Sequence, residues 1–234
     1  GPTAFDQSVY NTRESTSKFL STMVSMKAAS DHANPTKTHH MIAALNTRGS
    51  LQRCYTQNID GLESRLVQSF PPIDGITGGD IGDEENKCVM LHGCLKFVWC
   101  NKCRDVKPWL PQHTTTFQDG TLPPCGCGEN PDRPPRDARW GLLRPLIMLY
   151  GSNDYPYQDA IDKKIQVDCS NPPDMVMVMG TSLQVKAATN LIRDLAVNAS
   201  KVIFVNKEAP RSTTAGLFTH HVQGRTDHWA ELIL

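Results

Sequence analysis

The chain has 234 residues, 24 Lys+Arg against 24 Asp+Glu, and eight cysteines, long enough to bury one sizeable core or one domain with an appendage. The balanced charge excludes the broad basic field of a protein that grips nucleic acid through its phosphates, and no apolar run approaches the ~20 residues of a membrane helix. The opening "GPTAFDQSVY" lacks the basic and apolar regions of a signal peptide, so the cysteines favour metal or thiol chemistry in a reducing, intracellular compartment over a disulfide framework.

In chain order, "TRESTSKFLSTMVSMKAA" (12–29) sets Phe19, Met23 and Met26 at helical spacing, with Ser15 or Thr16 as the expected cap. Pro35 leads into a second helix with Met41, Ile42 and Leu45 on its apolar face, stopped at Gly49. "LQRCYTQNIDGLESRL" reads as a short strand, a polar elbow at Gln57-Asn58-Ile59-Asp60-Gly61 and a helix. Residues 71–86 form an acidic, Gly-rich insertion. Its "GGDIG" is not a phosphate loop, because no strand pattern precedes it and no helix pattern follows.

"CVMLHG" is a strand ending at a polar turn, and residues 94–139 form a Cys- and Pro-rich stretch unlike its flanks. "RWGLLRPLIMLYG" returns to strand-like residues. In "DMVMVMGTSLQVKAATNLIRDLAVNASKVIFVN" an apolar strand ends at Gly180-Thr181-Ser182, a helix runs over about 187–198, and "KVIFVN" is a second strand. Strands apolar on both faces with a helix between them predict a βαβ unit in a buried parallel sheet. Ligands of such sheets sit at the C-terminal strand ends, here Gly180, Thr181, Ser182 and Asn206.

Cys100-x2-Cys103 and Cys125-x-Cys127 are two close pairs at zinc-ribbon separation, and four thiolates make a closed structural Zn2+ site. The second pair departs from the usual C-x-x-C, which leaves Cys94 as a reserve ligand. With the shell complete, His92 is not needed as a ligand. It sits at a strand end, and the strand ends carrying Gln57-Asn58-Asp60, His92 and Gly180–Ser182 are expected to converge on one edge of one sheet. An imidazole titrating near neutrality, facing a carboxylate and two amides, suits proton abstraction from a hydroxyl.

In this order and spacing, "YTQNIDGLE", "LHG", the cysteine pairs, "RPLIMLYG", "GTSLQV" and "VNKE" resemble a sirtuin, an NAD-dependent protein lysine deacylase, over roughly residues 35 to 228. The form of "RCYTQNIDGLE" with "LYG" is most similar to the fungal nuclear branch that deacetylates histones in chromatin silencing. The resemblance implies a Rossmann-like parallel sheet with helices on both faces plus a small zinc-ribbon module. It divides the chain into a helical remnant (1–34), a discontinuous NAD-binding domain (35–93 and 140–234) and the zinc module (94–139). The implied reaction moves acetyl from lysine to the ADP-ribose of NAD, releasing nicotinamide. His92 matches the general base that deprotonates the ribose, and Gln57 and Asn58 match residues holding that ribose, with Asn58 also counted among the catalytic pair. Asp60 matches the carboxamide contact. Gly180, Thr181 and Ser182 match the phosphate and ribose loop, and Asn206 and Glu208 the adenosine side. Met148, Tyr150 and Gly151 fall on the acyl-lysine and peptide side, where the peptide is expected to add as a strand between Gly151 and the 184–188 segment. An acetylated histone in the nucleus is the implied partner.

The chain departs from the pattern at Ser152, where the family usually has Glu, and at Met148, where Val is common. The family's opening strand and Gly-Ala-Gly-Ile-Ser loop, which cradle the NAD diphosphate, are absent from these residues, so the first βα unit is expected to be missing and these residues to bind NAD poorly. The alternative is a non-catalytic sirtuin-like scaffold. A nucleic-acid module is disfavoured by the zero net charge, Arg133, Arg136 and Arg139 being the only local basic run.

Overall fold

The computed structural model describes residues 2–70, 86–127 and 141–234. Residues 71–85 of the acidic insertion, with its "GGDIG", and Arg133, Arg136 and Arg139 lie outside the described residues. The elements run α1 (Arg13–His32), α2 (Lys37–Thr47), β1 (Cys54–Thr56), β2 (Ser69–Phe70), β3 (Cys88–Met90), β4 (Gly93–Cys100), β5 (Val106–Pro108), α3 (Pro111–Gln118) and β6 (Leu143–Ile147). They continue with α4 (Gln158–Ser170), β7 (Met175–Met179), α5 (Lys186–Leu195), β8 (Lys201–Asn206), α6 (Ser212–Ala215), β9 (His220–Gln223) and α7 (Thr226–Ile233). Two compact units result: unit 1 is Gly1–Asn34 with Tyr55–Gln158, and unit 2 is Pro35–Cys54 with Asp159–Leu234. No described helix is long and apolar enough to cross a membrane.

In unit 1, α1 buries Phe19, Leu20 and Met23, with Met26 at the edge of the same core. Its cap is Thr12, not Ser15 or Thr16. The Thr12 hydroxyl accepts the Ser15 N–H at 3.1 Å and the Ser15 hydroxyl accepts the Thr12 N–H at 3.3 Å. Ser15 therefore closes a capping box from inside the first turn, satisfying two orphan donors at once. Helix α1 packs on α3, and Trp109 meets Phe117 edge to face at 4.9 Å.

Two small sheets complete unit 1. One has the order β1-β3-β2, with β2 and β3 parallel; the other is antiparallel, β5-β4-β6. The helix expected after the polar elbow is only a 3-10 turn, Glu63–Arg65, because β2 begins at Ser69 and leaves no room for more.

In unit 2, α2 follows Thr36 and stops ahead of Gly49, as its sequence predicts, with Met41 and Ile42 buried. The predicted βαβ unit is β7, α5 and β8, with the strands in register from Met175 against Lys201 to Met179 against Val205. The sheet extends to β9, parallel to β8, which the sequence reading did not find. Its core is Val176, Val178, Leu183, Ile192, Val202 and Phe204. The charged pair Arg53–Asp168 is buried in this unit and bidentate, at 2.9 and 3.1 Å.

A further expectation is corrected. The elbow follows β1 and His92 follows β3, both strands of the β1-β3-β2 sheet of unit 1, whereas Gly180–Ser182 follow β7 in the β7-β8-β9 sheet of unit 2. The strand ends thus lie on two sheets rather than one. The sheet that positions His92 is built from strands of two or three residues.

Candidate active site and metal centre

The site in unit 1 is assembled by backbone hydrogen bonds between segments far apart in sequence. Leu91 N–H donates to Thr56 O at 2.9 Å, Leu95 N–H to Ile59 O at 2.9 Å, and Met148 N–H to His92 O at 3.0 Å. These three bonds lock the elbow, the turn after β3 and the end of β6 into one frame. Gly93 permits the last of these approaches. Its φ is +86°, and a Cβ there would lie 2.0 Å from Leu146 O, so only glycine fits.

The frame encloses a cleft of about 500 Å³. Gln57, Asn58, Asp60 and His92 line it on the elbow side, and Met148 and Tyr150 on the β6 side. Burial pulls the His92 pKa below the usual imidazole value of 6.5, partly opposed by a hydrogen bond with the Gln57 backbone. One ring nitrogen is thereby fixed, and the ring stays neutral at neutral pH, able to take a proton. Asp60 accepts the Leu62 N–H at 3.0 Å, which stiffens the elbow. Tyr150 is 48% exposed, and its backbone is already paired: it donates to Phe5 O at 2.7 Å and accepts from Gln7 N–H at 2.9 Å.

Sequence reasoning missed Glu63. Only 5% exposed, it accepts the Thr56 hydroxyl at 2.6 Å and the Asn58 side-chain amide at 3.4 Å. Thr56 in turn accepts the Asn58 N–H at 3.1 Å. A buried carboxylate thus braces the elbow from behind; the signal available was an acid beside Leu62 in "DGLE".

The Sγ atoms of Cys100, Cys103, Cys125 and Cys127 all lie within 4.8 Å of one another. Two sulfur pairs, Cys100–Cys127 and Cys103–Cys125, are 3.7 Å apart. Zn–S bonds near 2.3 Å in a tetrahedron put sulfurs about 3.8 Å apart, so the donor set fits Zn2+. Burial would raise the Cys100 thiol, but backbone N–H groups of Cys103 and Lys102 reach its sulfur at 3.4 Å each and bring it down to about 7, toward the thiolate a metal needs. Gly141 lies against the cluster, where a Cβ would meet Cys100 Sγ at 2.1 Å. Neither Cys94 nor His92 is among the clustered ligand atoms. Burial raises the Cys94 thiol to about 11, as for an inert core cysteine.

In unit 2 the strand ends carry the other candidates. Gly180 N–H donates to Val205 O at 3.0 Å, and the Thr181 hydroxyl accepts the Leu183 N–H at 3.2 Å. Leu183 has φ +55°, uncommon for a leucine and located where a strand-end ligand loop is expected. The Asn206 amide donates to Glu208 O at 3.2 Å.

A sequence model of the Sir2 family matches residues 2–187. The NAD-dependent histone deacetylase HST3 of Saccharomyces cerevisiae is 31% identical over 247 residues, spanning 100% of this chain and 55% of that protein. The NAD-dependent protein deacetylase hst4 of Schizosaccharomyces pombe is 30% identical, spanning 96% of this chain and 54% of that protein. The chain therefore spans about half the length of these curated relatives. Among solved structures, a Sir2 protein bound to acetylated peptide superposes with a TM-score of 0.70 at 21% identity, over 98% of this chain and 81% of that one. A Sir2–p53 peptide–NAD+ complex gives 0.68 at 21% identity, over 98% and 80%. The fold, the four-cysteine centre and the extent of the family match agree, and the chain belongs to the Sir2 family.

Proposed function

We propose that this chain carries the catalytic machinery of an NAD-dependent protein lysine deacetylase acting on acetylated histone in the nucleus. The observation that carries the reading is the unit 1 cleft, where a neutral, half-buried His92 shares one cavity with Gln57, Asn58, Asp60, Met148 and Tyr150. In this reading NAD, when bound, would supply the ADP-ribose that accepts the acetyl group, with nicotinamide and the lysine amine released and one water consumed. The free ring nitrogen of His92 would take the proton from a ribose hydroxyl, Gln57 and Asn58 would hold the ribose, and Asp60 would accept from the carboxamide. Met148 and Tyr150 flank the acyl-lysine, while substrate backbone pairing falls to Gly151 and beyond, since Tyr150 is already bonded to Phe5 and Gln7. In unit 2, taken by itself, Gly180, Thr181, Ser182, Asn206 and Glu208 form a nucleotide-contacting strand edge. Cys100, Cys103, Cys125 and Cys127 hold Zn2+ in a structural role.

The test is His92→Ala in the protein at its natural length, assayed for nicotinamide release and deacetylation of an acetyl-histone peptide. Activity should fall by at least about 100-fold, in the range of a lost general base, with zinc content unchanged. The acid limb of the wild-type rate should lie below pH 6.5, the direction of the His92 shift. Full activity in His92→Ala, or loss of zinc with it, overturns the assignment.

A further inference from the structure

A second cleft of about 430 Å³ in unit 1 is lined by Tyr10, Arg144 and Tyr155, with Asp6, Ser152 and Asp154 among its other walls. The Arg144 guanidinium lies over the Tyr10 ring, 4.0 Å from its centroid. One face of the cation is thus taken by an aromatic ring, which orients it without satisfying its N–H groups. Arg144 Nε is buried with no hydrogen-bond partner among the described residues, and so is the hydroxyl of Tyr155, a side chain only 5% exposed. Burial pushes the Tyr155 phenol upward, so it stays protonated. No described carboxylate lies within ion-pair reach of Arg144. The two aspartates are held by their own neighbours: Asp6 accepts the Ser8 N–H at 2.9 Å, and Asp154 accepts the Ser152 hydroxyl.

Two buried donors without acceptors in one cavity are costly. Both residues line the same cleft, and an acceptor within reach of both would remove both costs. An amine cannot do this, because a guanidinium Nε–H only donates. A doubly charged phosphate would meet Asp6 and Asp154 with the greater repulsion, whereas a carboxylate adds a single negative charge and pairs with guanidinium in charge-assisted bonds. We infer that this cleft is a ligand subsite for a carboxylate, received by Arg144 Nε–H and the Tyr155 hydroxyl. Its source is either a free small carboxylate or an acidic side chain of a bound peptide, since Ser152 and Asp154 follow directly on Gly151, the proposed peptide contact.

Butyrate and its size-matched opposite, butylamine, are the probes, titrated while the Arg144 Nε–H resonance is followed by NMR. Butyrate should shift that resonance saturably and butylamine should not. Arg144→Gln and Tyr155→Phe should each weaken butyrate roughly tenfold, as expected for one lost charge-assisted bond, with binding to Arg144→Gln read from the ligand's own signals. Ser152→Glu, which supplies a carboxylate from the cleft wall, should abolish binding with the fold intact, and keeps the test open if Arg144→Gln does not fold. Failure of butyrate to bind means that solvent alone fills the cleft and overturns the proposal, as does equal binding to Tyr155→Phe or a matching shift from butylamine. Acetyl-lysine peptides bearing a flanking Glu or Gln then separate the sources. A lower KM for the Glu peptide, lost in Ser152→Glu, assigns the carboxylate to the peptide; equal KM with butyrate binding intact assigns it to a free ligand. Only this arm rests on the deacetylase reading, and no turnover of either peptide counts against that reading while the butyrate result stands.

Discussion

Unit 2 is regular. Its three parallel strands pair rung by rung from Met175 and Lys201 to Asn206 and Gln223, and a helix between β7 and β8 covers the core. Unit 1 is built differently: β1, β2 and β3 have two or three residues each, and β4 breaks register against β6 between Gly93 and Val98. Its candidate chemistry sits where the ladders end. Long-range backbone bonds, a glycine that cannot be replaced and a sulfur cluster do there what strand length does in unit 2. The comparison teaches that unit 1 should fail when one point contact is removed, and unit 2 when burial or charge is left uncompensated.

The largest effect should come from the metal centre. Structural zinc contributes about 10–16 kcal/mol in small zinc peptides. Chelation, or Cys100→Ser, should erase amide-exchange protection in β4, β5 and α3 and leave β7 and β8 protected. Equal loss in both regions, or none in either, breaks the contrast between the units.

In unit 2 the sharpest point is the Arg53–Asp168 pair, with side chains 7% and 4% exposed. Asp168→Ala leaves a buried guanidinium without its bidentate partner and should cost about 3–5 kcal/mol in denaturant unfolding. Replacing both residues by Met and Leu should recover most of that, because a well-packed apolar pair has no charge to desolvate. A loss below about 1 kcal/mol for Asp168→Ala would show that burial alone holds this unit.

The same contrast governs what the sequence discloses. The βαβ of unit 2 is legible because its strands are continuous apolar runs and its helix is bounded by them. Helix α4 is not, because its inward face carries Lys164 and Asp168 alongside Ile161, so apolar spacing fails as a signal. Strand β9, "HHVQ", has no apolar run either and owes its conformation to the ladder with β8. In unit 1, Gln57 to Asp60 of "TQNID", His92 of "LHG" and Ile147 to Tyr150 of "IMLYG" line one cleft. Glu63 behind it was not foreseen, since bracing is a relation between Thr56, Asn58 and Glu63 that no single position announces. The capping box shows the same limit on a smaller scale. Ser15 has the right chemistry, but Thr12 holds the cap position because its backbone is extended while helical geometry begins at Arg13.

A smaller effect tests that cap. Thr12→Ala removes the hydroxyl that Ser15 N–H and Ser15 Oγ share, and should destabilise unit 1 by about 1 kcal/mol. Thermal unfolding that distinguishes Thr12→Ala from Thr16→Ala settles which residue caps α1. Thr16, whose hydroxyl donates to Thr12 O and Val9 O, should matter less to the helix N–H groups.

The smallest effect is in unit 2 and depends on pH. Hydrogen bonds from Thr36, then from the Thr38 hydroxyl and N–H, hold the Asp227 carboxyl at about 2, below the usual 3.8. Thr38 contributes bonds of 2.6 and 2.9 Å. They tie α7 to the start of α2, beside the Lys37–Glu231 ion pair. Because the folded pKa is lower than the unfolded one, the folded state binds fewer protons. The stabilisation is therefore complete above pH 3.8 and is lost as pH falls through about 2. Asp227 is only partly buried, so the contribution should be modest and partly screened by salt. Wild type and Asp227→Ala should then differ in unfolding free energy by a constant amount above pH 4, and the gap should close between about pH 4 and pH 2. A gap that widens as the acid is added would mean that the carboxyl is protonated more readily in the folded chain, the reverse of what three hydrogen-bond donors around one carboxylate produce.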